Sequence, residues 1–156
     1  MVFNIMGMVI EKITFDKILP IWREYLWENK EGGIKPMSSI TIDDTINMEI
    51  YNNIPSFFAL KNKDETVGVI SGFSTSESDY RCRGIYIFPE YRKQNLSKML
   101  FQACLVQAIK EGRHKLWSLP RRDAYPAYES FGFRKISSWT NKFEFGPNCF
   151  VEYNIR

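Results

Sequence analysis

Apolar and polar positions alternate at residues 9–15. Val9, Glu11 and Ile13 interleave with Ile10, Lys12 and Thr14, which predicts a first strand. Asp16 offers an N-cap. Ile18, Leu19, Trp22 and Leu26 then recur at helical spacing, so a helix is expected to fade by Asn29, before Gly32 and Gly33. Pro20 falls in or near its first turn, where a missing N–H costs little. Residues 34–40 read as loop. Ile46 and Ile50, with Asp43 and Asp44 ahead of them, predict a second short helix over residues 41–51, ended by Pro55.

Residues 56–60 and 66–73 read as strands around the polar turn 61–65, a hairpin. Residues 79–87 form the fourth strand. Gly84 inside it predicts a bulge or a close backbone approach. Pro89 ends that strand, and a polar loop follows to Asn95. The helix expected over residues 96–110 is apolar over too wide a stripe for one face, so it should be nearly engulfed. Gly112 stops it. A fifth strand over 115–119, a short helix over 123–131 and strands over 133–139 and 143–153 complete the chain. Hairpins combined with a crossover give an α/β (α+β) fold with a mixed sheet. With 156 residues and no repeats or linkers, one domain spanning residues 1–156 is expected.

Strand, polar turn and helix start, in that order, make an anion site. The first amides of a helix have no helical partner and point outward. Charge sharpens this. Residues 1–78 carry a net −4, residues 79–135 a net +7 and the remainder is neutral. The basic block coincides with the anion site, and the acidic half points to a cationic ligand on the other side. His114 is the only histidine, and the three cysteines Cys82, Cys104 and Cys149 include no CxxC pair. No metal site is expected, and unpaired thiols fit a cytoplasmic protein. No apolar run is long enough for a membrane span. The basic block lacks interleaved surface aromatics or a motif for nucleic acid, so neither membrane nor nucleic acid is expected as a partner.

Two segments bring in a family. Ile85-Tyr86-Ile87-Phe88-Pro89-Glu90-Tyr91-Arg92, continuing Lys93-Gln94-Asn95-Leu96-Ser97, resembles the strand and pyrophosphate loop of the GNAT superfamily of acyl-CoA-dependent N-acetyltransferases. Ala124-Tyr125-Pro126-Ala127-Tyr128-Glu129-Ser130-Phe131-Gly132-Phe133 is similar to the same family's Ala-x-x-x-Tyr-Glu-x-x-Gly-Phe segment. The resemblance implies a mostly antiparallel sheet of about seven strands, splayed between strands 4 and 5 and flanked by about four helices. It implies acetyl-CoA (acyl-CoA) as co-substrate, its pyrophosphate on Arg92, Lys93, Gln94, Asn95, Leu96 and Ser97 and its pantetheine arm beside Ile85, Tyr86 and Ile87. It implies direct attack by a primary amine, from a small molecule or peptide, with Tyr128 as general acid. A monomer or homodimer is expected. The chain departs from the family at Asn95 and Ser97, where glycine or alanine is usual, and at Arg121, where asparagine is common. Asn is the residue after Gly that best tolerates a left-handed backbone. The fourth strand holds no carboxylate between Tyr80 and Phe88, so water-mediated deprotonation of the amine is expected. Trp22, Tyr25, Trp27 and the loop Met37-Ser38-Ser39 are the expected acceptor side. The alternative is a non-catalytic acyl-CoA-binding or sensing module.

Overall fold

A computed structural model describes residues 7–46 and 54–155. Seven strands form one sheet in the order β1-β2-β3-β4-β5-β7-β6: β1 (Met8–Ile13), β2 (Ser56–Asn62), β3 (Glu65–Ser74), β4 (Asp79–Ile87), β5 (Lys115–Ser118), β6 (Arg134–Lys135) and β7 (Val151–Asn154). Every pairing is antiparallel except β4 with β5. Three helices flank the sheet: α1 (Phe15–Tyr25), α2 (Ser97–Lys110) and α3 (Tyr125–Phe131). The mixed, mostly antiparallel sheet is as expected, with one helix fewer among the described residues.

Side-chain alternation divides the core into two layers. Ile18 and Trp22 of α1 pack on Phe57, Ala59 and Val69 on one face of the sheet. Leu100, Phe101, Cys104 and Ala108 of α2 pack on Phe58, Leu60, Tyr80 and Cys82 on the other, joined by Tyr128 of α3. At about 25 cal/mol per Å² of apolar surface removed from water, these two layers supply the main favourable term in folding. The α2 helix is less enclosed than its sequence predicts. Val106 and Ile109 are about half exposed, because the helix sits on a single sheet face and has no second layer above it.

Two other expectations are corrected. Residues 41–46 form a turn instead of a helix start, closed by a bridge between Ile40 and Ile46. Thr41 Oγ1 takes the Thr45 amide (3.2 Å), and Asp43 binds both threonine hydroxyls. Short polar side chains here outcompete helical hydrogen bonds. The rest of that expected helix lies outside the described residues. The final strands are also shorter than expected. Between Lys135 and Val151 only single bridges persist, Thr140 and Arg121 each with Asn148. The bend at Gly146-Pro147, a cis bond, interrupts the ladder. At α1, Thr14 occupies the N-cap, and Asp16 lies in the first turn, its carboxylate accepting from the Thr14 hydroxyl.

Candidate active site

The cleft begins where β4 and β5 part. Their register runs Asp79 with Lys115, Tyr80 with Leu116 and Arg81 with Trp117, then stops. At the next step a side chain replaces the backbone rung: Ser118 Oγ donates to the Cys82 carbonyl at 2.6 Å. Tyr128 Oη lies 2.9 Å from the same Ser118 Oγ. The carbonyl can only accept, so the single serine proton goes to it and the tyrosine donates to the serine.

Helix α3 fixes that tyrosine. Pro126 starts the helix and Gly132, at φ +122°, ends it, with the Gly132 and Phe133 amides closing on the Tyr128 carbonyl. The Tyr128 ring packs on Phe101 (4.6 Å between centroids) and Phe133 (5.1 Å). It is 2 % exposed, and burial pushes its phenol well above the ordinary tyrosine value. Sequence reasoning missed Ser118, a lone serine at the end of a short apolar strand that matches no motif.

On the β4 side the expected irregularity at Gly84 is a bulge. Val69 pairs with Tyr86 and Ser71 with Arg83, so Gly84 and Ile85 together oppose Ile70. Gly84 sits at φ +70°, and a Cβ there would lie 2.4 Å from the Trp22 ring. Trp22 Nε1 donates to the Gly84 carbonyl at 2.8 Å. Beyond the bulge, Arg92 Nε donates to the Ile87 carbonyl at 2.8 Å, while the Phe88 amide turns the other way, to Val67. A residue in an extended strand directs its N–H and C=O to the same side. Ile87 therefore presents its amide, like its carbonyl, to the open edge. Ile85 and Ile87 pack toward α2. Tyr86 faces α1, stacked on Tyr25 at 4.9 Å with the Arg92 guanidinium over its ring.

After Pro89–Tyr91, a single 3-10 turn, buried Tyr91 ties the loop to the Glu65 carboxylate. Lys93 and Asn95 both adopt left-handed backbone, φ +63° and +61°. Helix α2 then starts at Ser97, and its first partnered amide is Met99, to the Leu96 carbonyl. Among the described residues, the amides of residues 93–98 make no backbone hydrogen bond. The Leu96 side chain goes into the core, leaving only its amide for a ligand. A hollow of about 250 Å³ between the start of α2 and α3 is lined by Asn95, Ser97, Lys98, Ala127, Ser130 and Tyr153. Unpaired amides, a positive helix end and exposed Lys98 suit a phosphate-bearing ligand. Arg121 is directed elsewhere. Its Nη2 donates to the Leu26 carbonyl at 2.8 Å, closing the end of α1.

On the α1 face of the cleft, Arg83 lies over Trp22 (5.1 Å) and Trp27 (4.7 Å), and its Nη1 donates to the Lys35 carbonyl at 2.8 Å. Arg81 lies over Trp117 at 5.0 Å. Burial pulls the two guanidinium pKa values down, to about 9 and about 10, so both remain cationic at neutral pH. Asp79 belongs to the closed end of the β4–β5 ladder, bonded by Ser78, and brings no carboxylate into the cleft. Among the described residues no group of three or more His, Cys, Asp or Glu is placed to hold a metal ion, and no helix is long and apolar enough to cross a membrane.

Solved structures share this fold. An acetyltransferase from Streptococcus agalactiae 2603 aligns over 96 % of this chain and 99 % of its own, with a TM-score of 0.64 and 17 % identity. A GNAT family acetyltransferase from Elizabethkingia anophelis, solved with acetyl-CoA bound, aligns over the same shares at 0.67 and 14 %. A variant of the spermidine N-acetyltransferase from Vibrio cholerae aligns over 96 % and 94 % at 0.64 and 13 %. No curated protein sequence matches the chain. The acetyltransferase (GNAT) domain itself matches residues 28–155, which takes in β2 to β7, the splay and the loop before α2. The chain therefore belongs to the GNAT superfamily of acyl-CoA N-acetyltransferases.

Proposed function

We propose that the protein transfers an acetyl (acyl) group from acetyl-CoA to a primary amine by direct attack. The observation that carries this reading is the splay past Arg81 and Trp117. It leaves the edge of β4 open beside the unpaired amides that precede α2. In this reading the pyrophosphate takes the amides of Lys93, Gln94, Asn95, Leu96 and Ser97, with Arg92, whose own amide is bonded to the Pro89 carbonyl, and Lys98 adding charge. The amides at Ile85 and Ile87 stabilise the oxyanion. The attacking amine, with a pKa of about 10.4 in water, gives its proton to solvent, since β4 carries no carboxylate between Tyr80 and Phe88. Tyr128 returns a proton to the departing thiolate, whose pKa is about 8.5 by analogy with cysteine. Three free cysteines, all buried, support a reducing, cytoplasmic setting.

Tyr128 reaches the thiolate only by giving up its bond to Ser118, and its ring is sealed in the core. That observation favours a second reading, an acyl-CoA-binding or sensing module without turnover. Thiol release at saturating acetyl-CoA across a panel of amines separates the two. Release coupled to an acetylated amine supports the transferase; binding without release supports the sensor.

A further inference from the structure

Arg81 and Arg83 are 7 % and 5 % exposed, yet neither forms an ion pair with a carboxylate among the described residues. Arg81 Nε and Nη1 are sealed from solvent with no hydrogen-bond partner. The tryptophan rings cover the guanidinium faces, but the N–H donors lie in the guanidinium plane and point past the rings. Stacking therefore leaves these Arg81 donors unmet, while Arg83 Nη1 is met only by the neutral Lys35 carbonyl. Burying two cations side by side without an anion is costly, and the cost falls when an anion arrives.

Their position says which anion. Trp22 and Trp27 belong to the α1 layer, so Arg83 and, two residues back, Arg81 face that layer. The unpaired amides and the hollow lie with α2 and α3 on the opposite face. An acyl donor held there leaves the α1 face to the acceptor. At the usual strand rise, Arg83 and Arg81 stand about 7 and 13 Å along β4 from Ile85. A modest molecule spans that distance. Among the described residues no acid of residues 1–78 pairs with either arginine; Asp44 pairs with Lys142, and Asp43 is held by Thr41 and Thr45 on the surface.

We propose that the acceptor is an amine that also carries a carboxylate, seated on Arg81 and Arg83 while its amine reaches the opened edge of β4. This rests on the transferase reading and replaces the cationic acceptor that the charge tally favoured. A guanidinium fork matches a carboxylate in two parallel hydrogen bonds. Free amino acids and acidic peptides share this chemistry.

The test uses matched amines at saturating acetyl-CoA: amino acids of increasing amine-to-carboxylate length, their carboxamides, and dipeptides with or without an acidic side chain. Wild type is expected to favour the carboxylate over its carboxamide at least tenfold in kcat/KM, mainly through KM. The arm with the larger ratio identifies the source. In Arg81→Met the ratio falls toward one, and in Arg81→Lys it recovers in part. Equal rates for the wild-type pairs, or a ratio unchanged in Arg81→Met, overturn the proposal. A protein that binds acetyl-CoA and acetylates nothing contradicts only the transferase reading. Melting shifts with the same pairs at saturating CoA then decide the anion site: a larger shift for the acids supports it, and equal shifts overturn it.

Discussion

Trp22 Nε1 hydrogen-bonds the Gly84 carbonyl at 2.8 Å, so a helix on one face of the sheet holds the bulge beside the cleft. Trp22→Phe keeps most of the packing but removes that hydrogen bond. A loss of about 1–3 kcal/mol in unfolding free energy is expected by denaturant titration. Acyl transfer should fall with it, because the bulge aims the amides of the open edge.

Gly84→Ala meets two penalties at once. The left-handed backbone costs an alanine about 1–2 kcal/mol, and a Cβ 2.4 Å from the indole forces repacking at about 1–3 kcal/mol more. Thermal unfolding should show a clear drop in Tm. An alanine variant as stable as wild type would mean that the bulge relaxes freely.

Much of this was legible in the sequence, and the reasons differ by element. Gly84 announced its bulge because an interior strand glycine has few other uses. Asn95 was expected to tolerate left-handed backbone, and it does so at φ +61°. The motif around Tyr128 located α3. Ser118 was illegible, since its role depends on β4 and β5 diverging one residue earlier, a tertiary event. The residues 41–46 turn was misread because Asp43 and Asp44 look like first-turn helix acids, while Thr41 and Thr45 bind the first of them instead. Arg81 and Arg83 were visible as residues, but their burial without a carboxylate was not.

Asn95, at φ +61°, shapes the loop proposed to hold the pyrophosphate. Asn95→Val places a β-branched residue at a φ it resists, at about 1–2 kcal/mol. If that strain opens the loop, acetyl-CoA affinity drops by about tenfold. Asn95→Gly removes strain and should bind at least as tightly as wild type. Calorimetric titration measures both.

Lys98 is exposed beside the hollow, and in the proposed reading it acts through charge. Lys98→Ala should weaken acetyl-CoA binding and flatten its dependence on salt, because one screened cation has been removed. Titrations at low and high ionic strength compare the slopes.

Tyr128 has a distinctive pH signature. Burial raises its pKa, so the protonated acid persists above the ordinary tyrosine range. The acceptor amine becomes reactive as it loses its proton, so kcat at saturating acceptor, where the bound carboxylate keeps Arg81 and Arg83 charged, should rise with pH and show no falling limb below about pH 10. Tyr128→Phe should lower kcat by about a hundredfold or more. A falling limb below that pH, present in wild type and absent in Tyr128→Phe, would contradict a raised pKa.

The cleft between β4 and β5 is proposed to perform acyl transfer. The most direct measurement quantifies free thiol and N-acetylated product together, with saturating acetyl-CoA and an amine panel that includes carboxylate-bearing members. Equal amounts of thiol and acetylated amine, both lost in Tyr128→Phe, are predicted. Acetyl-CoA binding with no thiol released above buffer hydrolysis for any amine would contradict the claim.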